Sequence, residues 1–241
     1  MNNSWVFLDN IIINFLEEEI ERRSLPFFKS WKIESKKVKI NGFRIDLLLK
    51  RKSKKMLCKI KSCINAINGI TFFPDKSNLR EIEDLKVLLK EKKRGNLSAI
   101  IFVALREDVK DFAPNSIVDI NYSKILYKGI LEGIHIFLIV TSFNPDELSL
   151  KVILYKKLNL LEILKNEYHL WRYPEVFISK LERINREIYI EMIGTTCYHC
   201  SFEENLFDFL EFAKERELDF KIREIKSEPG GLSAKLRLKY G

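Results

Sequence analysis

The chain contains no glutamine at all, and its 241 residues include only three histidines, four cysteines, nine glycines and six prolines. Each scarcity excludes something. Four cysteines in a chain this long do not make a disulfide framework, and this fits a reducing, cytoplasmic setting. So little glycine and proline, with no internal repeat, leaves no low-complexity linker. No run of eighteen apolar residues occurs, so no membrane-spanning helix is expected. The N-terminal region carries Glu17, Glu18 and Glu19 where a secretory signal would be basic and then apolar, so no signal peptide is expected either. No glycine-rich phosphate cradle and no Ser/His/Asp arrangement stands out. The lack of glutamine, set against abundant Lys, Glu and Ile, fits a thermophilic source or a biased codon composition.

Hydrophobic residues make up 46% of the chain, ample for the packed core of one large domain or two small ones. The net charge of +8 is unevenly distributed. Residues 1–145 hold 26 Lys and Arg against 17 Asp and Glu, residues 146–241 hold 16 against 17, and the stretch 29–61 alone holds 13 against 2. A basic cluster of that kind is what a phosphate-facing surface requires, because neutralising phosphates releases condensed counterions. Solvated lysine turns are the plain alternative.

Apolar spacing predicts a helix over Leu8–Arg23, strands over Ser30–Ile40 and Phe43–Lys50 joined at Asn41-Gly42, and a third strand, Met56–Ser62, after the basic turn 51–55. A helix over Leu79–Lys93 stops at Gly95. Two continuous apolar strands, Ala99–Leu105 and Ile134–Val140, flank a helix near Ser123–Glu132. Leu148–Tyr155 closes this α/β unit and Leu158–Tyr168 connects onward past Trp171 and Pro174. Ile188–Ile193, Phe202–Arg216, Phe220–Lys226 and Leu232–Lys239 then read as strand, helix, strand, strand. The expected organisation is residues 1–157 and a small α+β domain over 175–241.

Taken in order, Arg44-Ile45-Asp46, Cys58-Lys59-Ile60-Lys61-Ser62, Gly69 to Phe73-Pro74-Asp75 with Arg80 and Leu85, the strand Ile100–Ala104 and Phe112-Ala113-Pro114 resemble the sugar fermentation stimulation protein family, SfsA, over roughly residues 10–145. The resemblance implies a restriction-endonuclease-like PD-(D/E)xK core and DNA binding. It places Asp46 on the metal-binding aspartate, Lys61 on the lysine that orients the attacking water, and Lys59 where the second acidic ligand belongs. Asp84 replaces a basic residue that relatives often carry before the helix leucine. Relatives usually also have an OB-like domain ahead of this unit, and this chain begins almost directly at its first helix.

A site with Asp, Glu and Lys holds a divalent metal, whereas one with Asp, Lys and Lys holds it poorly. A unit charge pair at about 4 Å is worth roughly 4 kcal/mol at an effective dielectric near 20, and here the sign is reversed. Mg²⁺ is thus expected to bind weakly unless Glu18, Glu19 or Asp75 joins Asp46 as a ligand. Lys52, Lys54, Lys55 and Arg80 are the candidate DNA contacts. Plainer roles stand beside these: Asp46 as the acceptor of a strand-end hydrogen bond, Lys59 and Lys61 as exposed lysines guarding an edge, Phe73-Pro74-Asp75 as a turn. Cys197-Tyr198-His199-Cys200 offers thiol redox chemistry or part of a Zn²⁺ site, with Cys197 and Cys200 as ligands. Three functions follow for testing: a DNA-binding protein with a degenerate nuclease-like site, an active Mg²⁺-dependent endonuclease with a relocated carboxylate, and a thiol or zinc protein. The C-terminal domain leaves room for a homodimer or a partner protein.

Overall fold

The computed structural model describes residues 3–40, 42–144, 146–147, 149–172, 176–194, 202–228 and 230–239. Asn41, Pro145, Leu148, Pro174 and the Cys197–Cys200 motif lie outside the described residues. The architecture is mixed α/β. Helix α1 (Asn3–Glu21) and a 3₁₀ turn (Pro26–Phe28) lead into β1 (Lys32–Ile40), β2 (Phe43–Arg51) and β3 (Lys54–Cys63). Short strands β4 (Ala66–Ile67) and β5 (Ile70–Phe73) precede α2 (Leu79–Lys93), β6 (Leu97–Ala104), β7 (Asp111–Pro114), α3 (Ile120–Leu131), β8 (His135–Asn144) and β9 (Ser149–Leu158). Helix α4 (Leu160–Arg172), β10 (Val176–Ile184), β11 (Glu187–Gly194), α5 (Phe202–Glu215), β12 (Phe220–Glu228) and β13 (Gly231–Leu238) complete it.

The main sheet runs β1-β2-β3-β6-β8-β9. Its central strands β3, β6 and β8 are parallel and the flanking pairs antiparallel. Because central strands are covered on both faces, β6 and β8 read as unbroken apolar runs. One face carries α1, whose Ile12, Ile13, Leu16 and Ile20 recur at helical spacing and bury against Leu47, Leu49, Met56 and Cys58. The other face carries α2 and α3, with Leu57, Leu85, Leu88, Phe102, Leu126 and Leu138 among the buried residues.

Helix α2 is well specified by its ends. The Asn78 side chain caps it by accepting from the Arg80 N–H at 3.0 Å, Glu81 sits in its first turn, and Lys90, Lys92 and Lys93 occupy its last. Gly95 follows with φ +91°, a left-handed conformation that glycine takes without steric cost. Since α2 returns the chain from β5 to the start of β6, it runs antiparallel to β3. Its acidic N-terminal turn therefore lies beside the end of β3 and its basic C-terminal turn beside the beginning.

Three readings from the sequence need correction. The turn between β2 and β3 is only Lys52-Ser53, because Arg51 pairs with Lys54 and Lys50 with Lys55, so Lys54 and Lys55 belong to β3. Residues 176–184 form β10, paired with β11, a strand missed because its exposed charges and single buried positions break the apolar alternation. Helix α4 begins two residues later than expected and continues to Arg172, since β9 runs through Leu158. The four-stranded sheet β10-β11-β13-β12 packs with α5 against α4, and a single buried apolar cluster continues from the main sheet through Tyr168 to Phe209, Phe212 and Leu236. At this junction Arg216 Nε lies 2.9 Å from Glu167 Oε1, and Tyr127 donates its hydroxyl proton to Glu167 Oε2 at 2.5 Å. Among the described residues, no helix is long and apolar enough to cross a membrane.

His169 ties α4 to β10 by accepting the Ile178 N–H at Nε2, 3.1 Å away. Burial, with Lys165 nearby, lowers its pKa from 6.5 to about 4. A depressed histidine favours the neutral form in the fold, so its contribution is present above pH 6.5 and is lost as the pH falls towards 4. Urea unfolding at pH 7.0 and 5.5 is expected to show a loss of about 1 kcal/mol attributable to His169. His169→Leu should reduce that pH dependence, while an unchanged difference between the two pH values would contradict the assignment.

Candidate functional site

The ladder between β2 and β3 ends at Leu47 opposite Cys58, although both strands continue. Beyond that point residues 43–45 of β2 pair with β1 alone, and β3 pairs with β6. The two strands diverge, leaving a wedge open at the Asp46 end. In it the Ile60 N–H donates to Asp46 Oδ2 at 2.9 Å, an ordinary strand-end hydrogen bond that one short carboxylate satisfies. Asp46 is only 2% exposed.

Alternation along β3 sends Met56, Cys58 and Ile60 to the α1 face and Leu57 and Cys63 to the α2 face. Lys59 and Lys61 share the second face. Lys59 is buried and Lys61 half-buried in the sheet centre, which removes the reading of exposed, edge-guarding lysines. Lys59 Nζ lies 3.4 Å from Asp46 Oδ2, 3.0 Å from Asp84 Oδ2, and donates to the Arg44 carbonyl at 2.9 Å. Lys61 Nζ reaches the same Asp84 Oδ2 at 2.8 Å and also pairs with Glu81, while Arg44 Nε lies 3.3 Å from Asp46 Oδ1. Three cations thus meet three carboxylates. The two acids supplied by α2 stand three residues apart, on one helical face.

The pKa directions follow. Burial alone would depress Lys61, but Glu81 and Asp84 beside it hold it above its ordinary value. Burial alone would raise Asp84, yet Lys61 and Lys59 hold it below the usual carboxylate range. The stabilisation tied to Asp84 is present above its unfolded value of 3.8 and lost as pH falls through its folded value. That tied to Lys61 is present below 10.5 and lost as pH rises through its folded value. Asp84 and Lys61 therefore both keep their charges across the neutral range. The neighbouring thiols Cys58 and Cys63 are pushed well above their ordinary values by burial and, next, by Asp46 and Asp75 respectively, so neither is a ready nucleophile.

The other candidates do not join this cluster. Glu18 is exposed and paired with Arg22, Asp75 accepts from Asn65 Nδ2 at 2.9 Å, and among the described residues no three His, Cys, Asp or Glu side chains are grouped to hold a metal ion. Phe73 and Pro74 are joined by a cis peptide bond, and the Phe73 ring packs 5.8 Å from Lys61 Nζ. Arg80 is exposed on the first turn of α2, at the Asp46 end of the sheet, whereas Lys52, Lys54 and Lys55 lie at the opposite end. Five residue steps along β2 lead from Asp46 to Arg51, about 17 Å. At that far end Lys32 pairs with Lys50 and Lys50 with Lys55, so three exposed lysines stand in a row across β1, β2 and β3. Like charges directly opposite destabilise a sheet. Among the described residues, Glu34, 3.8 Å from Lys50 and 3.0 Å from Lys55, offsets them by ion pairing. Asp84 was missed as a site residue because from sequence it is one polar position on an otherwise amphipathic helix.

Removing one partner of a buried ion cluster leaves uncompensated charge. Asp84→Asn is expected to cost about 3 to 5 kcal/mol in urea unfolding at pH 7. Glu83→Gln, on the exposed side of the same helix, should change stability by less than about 0.5 kcal/mol. Equal effects for the two substitutions would show that the cluster is not the strong coupling described.

Comparison with known proteins converges on one group. A family model described as the sugar fermentation stimulation protein RE domain matches residues 11–147. A sugar fermentation stimulation protein homolog of Methanosphaera stadtmanae is 26% identical over 137 residues, covering 56% of this chain and 57% of the relative. One from Desulforamulus reducens is 27% identical over 147 residues, covering 61% and 62%. The match thus spans less than two thirds of either relative. In structure, Pyrococcus furiosus SfsA in complex with Ca²⁺ superposes with a TM-score of 0.55 at 19% identity, over 60% of this chain and 61% of that one. The matched stretch contains the β2–β3 wedge, Asp46, Lys59, Lys61 and the α2 acids, and the chain belongs to the sugar fermentation stimulation protein family.

Proposed function

We propose that this chain is a DNA-binding protein with a nuclease-like PD-(D/E)xK core, and that it holds nucleic acid without cutting it. The single observation that carries the binding half is the lysine row Lys32, Lys50 and Lys55, flanked by Arg51 and Lys54. A sheet that tolerates such a like-charge row gives up stability for a field that phosphates would neutralise. Lys90, Lys92 and Lys93, in the last turn of α2, add to the same end of the sheet. The row's Lys50 is four residue steps along β2 from Asp46, about 13 Å, so a duplex bound there would be held away from the groups in the wedge.

The inert half rests on the ion cluster. The structural relative from Pyrococcus furiosus is a Ca²⁺ complex, so the donors here can be tested for fit to a divalent ion. They do not fit as arranged. Asp84 Oδ2 is shared by two ammonium groups, and Asp46 Oδ2 already accepts the Ile60 N–H and faces Lys59. Asp84 does supply the relocated carboxylate that an active endonuclease would need, but its charge is spent on Lys59 and Lys61. The thiol or zinc reading depends on Cys197 and Cys200, outside the described residues, and is separated from the others by thiol titration and zinc analysis. Residues 175–241 are proposed as a distinct α+β unit available to a partner protein or a second copy.

DNA affinity should fall by roughly three decades between 50 and 200 mM salt if about six phosphates are contacted. Lys32→Glu, Lys50→Glu and Lys55→Glu together should weaken binding and flatten that slope, whereas Lys221→Glu in β12 should change neither. The wild-type chain should not nick plasmid DNA with Mg²⁺. Binding undetectable at low salt would remove the DNA reading, and cleavage abolished by Asp46→Ala would establish the endonuclease instead.

A further inference from the structure

The Lys59 Nζ is surrounded by oxygens from two elements: Asp46 Oδ2 at 3.4 Å and the Arg44 carbonyl at 2.9 Å from β2, and Asp84 Oδ2 at 3.0 Å from α2. Two carboxylates and a carbonyl, all oxygen, form a donor set of the kind that hard divalent cations take. The residue is 6% exposed, and Asp46 and Asp84 are 2% and 5% exposed, so solvent does little to screen these charges.

We infer that the Lys59 ammonium is a built-in cation: it occupies a cation position between β2 and α2, and its removal leaves a site that a divalent metal ion fills. The charge accounting carries the inference. With Lys59 in place, Lys59, Lys61 and Arg44 balance Asp46, Asp84 and Glu81. Without it the cluster keeps one uncompensated negative charge, spread over Asp46, Asp84 and Glu81, with Lys61 still on Asp84 and Glu81 and Arg44 on Asp46. The space left by a butylammonium group admits an ion that retains part of its water shell, as Mg²⁺ and Mn²⁺ do. Asp84 comes from α2 rather than from β3, so the resulting site would bridge helix and sheet. This inference rests on the reading of the wedge as an ion-paired, self-neutralised cluster. It is independent of DNA binding, and its test contains no nucleic acid, so the two readings fail separately.

The test is titration of MnCl₂ into the full chain, followed by loss of the free Mn²⁺ electron paramagnetic resonance signal and by the shift in Tm. Wild type should show no saturable site below millimolar Mn²⁺. Lys59→Ala should bind about one equivalent at least tenfold more tightly than wild type, with Tm rising on addition of Mn²⁺. Lys59→Ala combined with Asp84→Asn should lose both effects, and Glu83→Gln in the Lys59→Ala background should lose neither. Binding by wild type as tight as by Lys59→Ala, or binding that survives loss of Asp84, would overturn the inference. So would a Lys59→Ala chain that stays unfolded by circular dichroism with and without Mn²⁺, since a metal would then be unable to take over the ammonium's place. A chain that folds only with Mn²⁺ present would support it.

Discussion

An ammonium group taken out of water costs several kcal/mol unless anions meet it, and that cost governs the centre of this protein. Lys59 stands on β3, between β2 and β6 in the six-stranded sheet, at the point where β2 and β3 part and with little access to solvent. Everything near it answers that demand. Asp46 closes the strand end and faces the ammonium, α2 brings Asp84 down onto it, and Lys61 shares Asp84 and takes Glu81 as well. The Asn78 cap fixes where α2 begins, and thereby the height at which its two acids meet β3. Phe73, beyond its cis bond to Pro74, packs on Phe102, Tyr122 and the Lys61 ammonium from the open side.

The same accounting changes how the basic stretch is read. Lys59 and Lys61 contribute to the 13 Lys and Arg found between residues 29 and 61, yet their charge is consumed internally. What faces solvent includes Lys36, Lys37 and Lys39 of β1 and, at the far end of the sheet, the lysine row that crosses three strands. Two kinds of charge therefore coexist in one hairpin. One set is neutralised and serves the fold; the other is offset only in part, by Glu34, and keeps an excess of positive charge at the surface. Their separation along β2 is a direct consequence of strand geometry, since each residue advances the chain by about 3.3 Å.

Much of this was legible in the sequence, for physical reasons. The doubly buried strands β6 and β8 announce themselves as apolar runs, and the period of α1 and α2 gives their faces. The order of short motifs from Arg44 to Pro114 carried the family resemblance, and the adjacency of Asp46 with Lys59 and Lys61 followed from a hairpin with side chains two apart. Less visible were features that depend on tertiary contact. Whether a strand lysine is exposed or buried cannot be read from its neighbours, and Asp84 has no local mark distinguishing it from Glu83. β10 escaped notice because its outward residues Lys180, Glu182 and Arg183 dilute the buried Val176 and Ile178. The lengths of β2 and β3 were underestimated because a lysine-rich run reads as a turn until Glu34 is found to bridge it.

The most direct test of the account is the energetic coupling between Lys59 and Asp84, measured by urea unfolding of Lys59→Met, Asp84→Leu and the double variant. If the ammonium and the α2 carboxylate stabilise the fold by neutralising each other, the double variant should be more stable than the sum of the single losses by about 2 kcal/mol or more. Single losses that add to within about 0.5 kcal/mol would mean that the two residues act independently, and the account of the wedge as a self-neutralised site would be wrong.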